Sequence, residues 1–279
     1  MNEILIWNYG IPKQWLSKIE IDYLIRLPKE LPAVDWIFDE LDRVWNEHKL
    51  DNCMELSQQP IGAYYGHPVW PVNGIFSSQD PASLSHRSAV AKYLKEIGVK
   101  SVADYGGGFG QLAISIAKAI PDADIYIVEP YPTKVGIERL RRETQIKIVP
   151  NLSVESYGAI VAQDVLEHVE DPIKLASEIA NSVRVGSSVI FANCFYPVIQ
   201  CHLPSTFHLR YTFPYVMKSL GLRYVGTVEG AAHAQIFERV GALHLSKARK
   251  VEALSRIIGP LLNYGRGFLS KVKRFLMHE

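Results

Sequence analysis

Cysteine is scarce in this sequence, with Cys53, Cys194 and Cys201 making an odd number and no CxxC spacing. Neither a disulfide framework nor a zinc knuckle fits, and reduced thiols in a cytoplasmic protein are expected. Apolar runs are short, none approaching the ~20 residues that span a bilayer, so no transmembrane helix is expected. The opening MNEILIWNYG carries Glu3 where a secretory leader would carry positive charge, which argues against a leader. Net charge is also small, +1 from 30 Lys+Arg against 29 Asp+Glu, which excludes a chain-wide polyanion binder and makes nucleic acid an unexpected partner. What remains, 48% hydrophobic and 21% charged over 279 residues, is an ordinary globular composition.

Three regions differ in texture. Residues 1–81 are irregular and hold all five tryptophans; a helix is expected over Trp36–His48, where Ile37, Leu41, Val44 and Trp45 recur at helical spacing. Gln59–Gln79, rich in Gly, Pro and aromatics, reads as a packed, ordered loop. Residues 82–243 alternate between helical and strand patterns. Strands are expected at Ser101–Tyr105, Asp124–Glu129, Ile146–Val149, Ala159–Asp164, Ser187–Asn193, Arg223–Val228 and Ala234–Arg239, with Gly186 ending the helix before the fifth. This alternation predicts a doubly wound α/β fold, a mostly parallel seven-stranded Rossmann-like sheet with an antiparallel strand at its edge. Residues 244–279 read as a helical tail, interrupted at Pro260 and Gly265.

The strongest local signal is Asp104-Tyr-Gly106-Gly-Gly108-Phe-Gly110, where a strand ends and a helix begins. Glycine there lets the backbone turn sharply and approach a ligand, and the helix-opening N–H groups favour an anionic group. Gly110 follows Gly108 by two residues rather than three, so the dinucleotide fingerprint is not met, and no GK[ST] follows. A carboxylate at Asp104 suits a cationic amine and disfavours a pyrophosphate, so a cofactor with an amino-acid moiety fits better. Glu129, ending the second strand, can accept hydrogen bonds from both hydroxyls of a ribose, and Tyr131 can lie against the adenine or ribose face.

These motifs resemble those of the class I S-adenosylmethionine-dependent methyltransferases, over about residues 82–240. Asp104, Gly106, Gly108 and Gly110 match the first motif, Glu129 the second, and Ala162-Gln-Asp-Val-Leu-Glu-His-Val resembles a fourth-strand motif common in the superfamily. The resemblance implies S-adenosyl-L-methionine as cofactor, with Gln163 added to its binding residues and an adenine-edge contact among Pro150, Asn151 and Leu152. It also implies an acceptor site near the ends of the fourth and fifth strands.

Methyl transfer from a sulfonium is an in-line displacement, and a hydroxyl or carbon acceptor benefits from a general base. Candidates are Asp164, His168, His202 and His208, the last two on a long loop with Arg210. For each histidine a structural role competes with the catalytic one. No metal is expected, because Cys201, His202 and His208 match no familiar ligand spacing. Residues 1–81, with Tyr64, Tyr65, His67, Trp70, Asn73 and Phe76, are expected to close the site ahead of a helix holding His86 and Arg87. A hydroxyl on a sugar, glycan or other small molecule is the preferred acceptor. Alternatives are N- or C-methylation of a small metabolite or quinone-like lipid, and a non-catalytic cofactor-binding scaffold.

The tail carries eight basic and two acidic residues, +6, leaving −5 on the rest. Val251, Leu254, Ile257, Ile258 and Leu261 form an apolar stripe, and Phe268, Leu269, Val272, Phe275 and Leu276 a second, flanked by lysine and arginine. Three readings stand: packing on the body, a homodimer, or peripheral contact with the inner face of a membrane.

Overall fold

The computed structural model describes residues 2–277, with the backbone alone for residue 58 and residues 266–277. The chain opens with an antiparallel hairpin, β1 (Glu3–Ile6) and β2 (Tyr9–Pro12), turned through Trp7 and Asn8 with both φ values in the left-handed region. Helix α1 (Lys18–Leu24) follows, begun by a reciprocal capping box between Ser17 and Glu20. Next comes α2 (Val34–Glu47), which buries Ile37, Leu41, Val44 and Trp45 on one face, the four positions whose spacing predicted it.

The Gly/Pro-rich stretch expected as a loop instead forms two helices, α3 (Gln58–Tyr65) and α4 (Val69–Ser77). Its prolines explain how. Pro60 and Pro71 lie in first turns, where backbone N–H groups lack intrahelical acceptors anyway, and Pro68 is the residue before α4. Burial of Val69, Val72, Ile75 and Phe76 then holds the second helix.

Helix α5 (Pro81–Glu96) is capped by Asp80, whose carboxylate accepts the Ser83 N–H at 2.7 Å. The strands and helices that follow are β3 (Ser101–Tyr105), α6 (Gln111–Ala119), β4 (Asp124–Val128), α7 (Lys134–Leu140), β5 (Ile146–Val149), β6 (Tyr157–Gln163), α8 (Pro172–Ser182), β7 (Val183–Ala192), α9 (Phe213–Leu220), β8 (Leu222–Val228) and β9 (Ala231–Arg239). Helix α8 ends at Ser182, earlier than Gly186: Val183 starts the strand, its β-branched side chain buried, and Gly186 sits within that strand at φ +83.

The sheet order is β5-β4-β3-β6-β7-β9-β8. The hairpin of the last two strands closes one side as expected; its antiparallel member, β9, is inserted between β7 and the outermost strand β8. One face packs on α5 and α6 through Val90, Leu94, Leu112 and Ile116, the other on α8 and α9 through Ile173, Ile179, Val216 and Leu220. A third core joins residues of the N-terminal region, among them Ile37, Trp45 and Ile75, to Phe109 of the glycine loop and Cys201. The cap and the loop are therefore held by shared apolar burial.

The tail is one helix, α10 (Leu245–Met277), continuing through Pro260. Tertiary contacts override the break: an ideal Cβ on Gly259 would lie 2.4 Å from the His208 carbonyl oxygen, and Asn263 Nδ2 donates to the Phe207 carbonyl at 3.1 Å. Ala248, Glu252 and Ser255 face the body, while Ile257, Leu261 and Tyr264 are 68%, 69% and 80% exposed. The second predicted stripe, from Phe268 to Leu276, lies outside the described side chains. Among the described residues, no helix is long and apolar enough to cross a membrane.

Candidate active site

At the carboxyl end of β3 the chain turns through Gly106, Gly108 and Gly110 at φ values of +72, +51 and +76. A Cβ on Gly106 would lie 2.5 Å from Val165 Cγ2, and one on Gly110 2.3 Å from Leu140 Cδ2, so conformation and space both demand glycine at these two positions.

Asp104, just before this turn, is 3% exposed, and its Oδ2 has no protein partner. Burial, helped by the nearby Glu129 charge, pushes its carboxyl up to about 7 against the opposing hydrogen bond from Ala113. A buried carboxylate oxygen without a donor is costly, and an ammonium group in the adjoining cleft would relieve it. Glu129, just beyond β4, accepts the Gly108 N–H at Oε2 (2.7 Å) and the Tyr131 N–H at Oε1 (2.9 Å). These bonds fix its carboxylate at the cleft edge and leave lone pairs for further donors.

The cleft is about 370 Å³ and is lined by Asp104, Gly106, Gly108, Glu129, Tyr131, Gln163 and Asp164 among others. From the cap, Tyr65, Trp70 and Asn73 line it as well. Tyr65 stacks on Tyr131 with ring centroids 5.1 Å apart, so one face of Tyr131 is taken by the cap. The Trp70 indole N–H is buried and unpartnered. Tyr64 and Phe76 instead belong to the cap core, and His67 packs against Tyr23 and His48. Pro150, Asn151 and Leu152 are not among the lining residues.

One lining residue, Arg87, and one buried residue outside the lining, Glu167, went unassigned in the sequence reading. Arg87 is buried and donates to the Ser77 carbonyl. It sat one residue from a named histidine, yet helical periodicity alone would not turn an arginine toward a cleft. Glu167 stood inside the quoted fourth-strand motif; it is fully buried, and its Oε1 accepts the Cys194 N–H at 2.6 Å.

The four candidate bases separate. Asp164 opens into the cleft at φ +52, a left-handed conformation rare for a non-glycine residue and of the kind that marks functional positions. Enclosure by surrounding protein raises its pKa, opposed by the Gln163 side chain, which donates to Oδ2 at 3.2 Å, and by His233, His202 and His86. His86 and His233 form a ring pair with centroids 4.6 Å apart. The sequence offered no sign of His233, because it meets His86 from a strand that only sheet order places there.

His168 lines the cleft and meets His202 edge to face at 4.8 Å. Each turns Nδ1 to a backbone carbonyl at 3.0 Å, Cys201 for His168 and Tyr196 for His202. Burial lowers both pKa values, that of His168 to about 3 with help from the His202 charge. His208 lies elsewhere, buried against α10 with Nε2 3.7 Å from Glu252 Oε1.

A doubly wound sheet with its glycine turn, strand-end acid and cleft at the carboxyl ends of β3, β4 and β6 defines a nucleotide-cofactor enzyme of the Rossmann-like class. Residues 80–215 match a family described as "Methyltransferase domain", and this part of the chain carries the fold and motifs of the class I S-adenosylmethionine-dependent methyltransferases, with S-adenosyl-L-methionine as cofactor. Among curated proteins none matches the sequence. The Burkholderia thailandensis 1,6-didemethyltoxoflavin-N1-methyltransferase superposes with a TM-score of 0.50 at 10% identity, over 69% of this chain and 94% of that one. Human N-acetylserotonin methyltransferase gives 0.49 at 16% identity, over 81% and 75%. A Haemonchus contortus phosphoethanolamine N-methyltransferase gives 0.31 at 22% identity over 35% of this chain; the chain spans 26% of that enzyme. At these identities the likeness is one of fold.

Proposed function

We propose that the protein methylates a hydroxyl group on a small molecule or sugar. The observation that carries this is Asp164, a carboxylate at the end of β6 that opens into the cleft and has a pKa raised above the ordinary range. Such a group can accept the proton an alcohol must lose, which a neutral amine acceptor would not require. Asp104 and Arg87 present a buried carboxylate and a buried guanidinium to one cleft, a pairing suited to the ammonium and carboxylate of the cofactor's amino-acid part. Glu129 suits the ribose hydroxyls. In the reaction the acceptor oxygen bonds the methyl carbon, the carbon–sulfur pair stays on sulfur, and the acceptor proton passes to Asp164. The aromatic groups of Tyr65 and Trp70 suit a sugar ring, covering its apolar face and offering polar tips.

The test is release of S-adenosylhomocysteine against a panel of nucleotide sugars, glycans, phenols and amines, with the methylated atom located by NMR of a ¹³C-methyl product. Products confined to nitrogen or carbon overturn the hydroxyl assignment. Tight cofactor binding without product across the panel would favour a scaffold role.

We also propose that α10 meets an anionic lipid surface. Leu254, Ile257, Leu261 and Tyr264 are exposed at helical spacing on a helix whose Lys247, Lys250 and Arg256 are exposed too. Sedimentation with phosphatidylglycerol vesicles tests it: binding should be lost in Ile257→Asp/Leu261→Asp. Equal sedimentation of that variant, or self-association in its place, overturns it.

A further inference from the structure

Beneath the cleft, Glu167, His168 and His202 converge from two separate segments. One carboxylate oxygen and one nitrogen from each ring lie within 4.8 Å of one another, and among the described residues this cluster alone meets that spacing. Because each Nδ1 faces a carbonyl oxygen, which can only accept, each Nδ1 carries the hydrogen. The Nε2 atoms are then left as lone-pair donors, the tautomer that carbonyl hydrogen bonds impose on metal-binding histidines. The carboxylate is set in the same way: Oε1 is held by the Cys194 N–H, and Oε2 is fully buried with no partner.

One nitrogen of each ring and one carboxylate oxygen thus share one small space. A proton on Glu167 satisfies one ring nitrogen and leaves the other bare; a dication satisfies all three. We propose that Glu167, His168 and His202 hold a divalent first-row transition-metal ion. Metal–ligand bonds of about 2.0–2.2 Å put three ligands of one ion about 3.3–3.8 Å apart, so groups within 4.8 Å of one another need draw in by at most about 1.5 Å. The mixed nitrogen and oxygen set suits Mn²⁺, Fe²⁺, Co²⁺ or Zn²⁺ better than Mg²⁺.

The position gives the ion a task, resting on the hydroxyl reading above. His168 and Asp164 both line the cleft, so an open coordination position would face the acceptor. An acceptor hydroxyl bound there loses its proton more readily, as metal-bound water does. The proton goes to Asp164 or solvent, the oxygen lone pair forms the O–CH₃ bond, and the sulfonium leaves as a neutral sulfide. Sequence spacing concealed this site because its second histidine arrives on the loop after β7, well away from the Glu-His pair.

The experiment uses the full chain stripped with EDTA and titrated with Mn²⁺, read by electron paramagnetic resonance, and with Zn²⁺, read by thermal shift. The expected result is one ion per chain, with affinity falling at least about tenfold in Glu167→Gln and in His202→Gln. Gln at 167 keeps an acceptor for the Cys194 N–H, and S-adenosylhomocysteine binding by calorimetry reports that each variant is folded. Stripped protein that binds S-adenosylhomocysteine but neither ion overturns the site, as does ion binding unchanged in both variants. Ion binding without any O-methyl product overturns the hydroxyl reading and leaves the site standing. O-methyl turnover unaffected by EDTA overturns the ion's task and leaves that reading standing.

Discussion

Glu129 Oε2 accepts the backbone N–H of Gly108 at 2.7 Å, so the acid at the end of one strand fastens the glycine turn at the end of its neighbour. The same carboxylate thereby shapes the cofactor cleft and borders it. Glu129→Ala removes this bond and the one from Tyr131, each charge-assisted and worth about 1.5–3 kcal/mol. Calorimetric titration with S-adenosylhomocysteine should show binding weakened by at least about tenfold, and Glu129→Gln should retain part of the affinity. Wild-type affinity in Glu129→Ala would remove the residue from the cofactor site.

Asp104, if it binds the cofactor as proposed, makes that binding depend on pH. Its folded-state pKa of about 7 lies above the ordinary value of 3.8, so the folded apoprotein holds a proton that the unfolded chain has already released. The stability this group contributes is present below the unfolded value and lost as pH rises through about 7. Thermal melting of the apoprotein should accordingly fall across that window, and less so in Asp104→Asn. Affinity for the cationic cofactor amine should rise with pH through about 7 in the wild type and stay flat in Asp104→Asn. A flat wild-type profile refutes this account of Asp104.

The cap rests on the glycine loop with no room to spare. A Cβ on Gly74 of α4 would lie 2.4 Å from Phe109 Cβ, and Gln111 Nε2 donates to the Gly74 carbonyl at 3.2 Å. Overpacking of this kind costs about 1–3 kcal/mol. Gly74→Val should lower the melting temperature by several degrees and weaken cofactor binding, because the displaced ring belongs to the turn. Calorimetry and thermal melts read both effects.

Glu252 ties the tail helix to the body. It is 3% exposed and takes Arg249 at 2.8 Å and Arg256 at 3.0 Å, with His208 at ion-pair distance. Desolvation alone would raise its pKa, but His208 and the two arginines outweigh it and hold the carboxyl at about 2. Its contribution is present above the ordinary value of 4.5 and lost as pH falls toward about 2. Melting of the wild type should drop in that window more steeply than melting of Glu252→Gln. His208→Gln should lower stability while leaving turnover per folded molecule unchanged, which would set it apart from Asp164→Asn.

The cleft residues at the ends of β3 and β4 were legible because their signals are local. Asp104, the glycines and Glu129 lie at strand ends that periodicity can locate, and left-handed φ values leave glycine as a mark. Helices α3 and α4 of the cap were hidden by their prolines, whose positions in first turns only the structure shows. The histidines show the limit most clearly. Three of them looked alike in the sequence, yet one is bound to the tail helix while two face each other under the cleft.

By itself, the sequence determined the alternation of strands and helices, the glycine turn, the strand-end positions of Asp104 and Glu129 and the split between an acidic body and a basic tail. Each follows from residue preferences acting over a few positions, as with helical spacing, strand-end acids and backbone angles. Only the tertiary structure decided which side chains share a space: Glu167 with His168 and His202, His233 with His86, Arg87 with Asp104 across the cleft. Those meetings depend on sheet order and loop path, and pairing between segments far apart in the chain leaves no periodic trace in it.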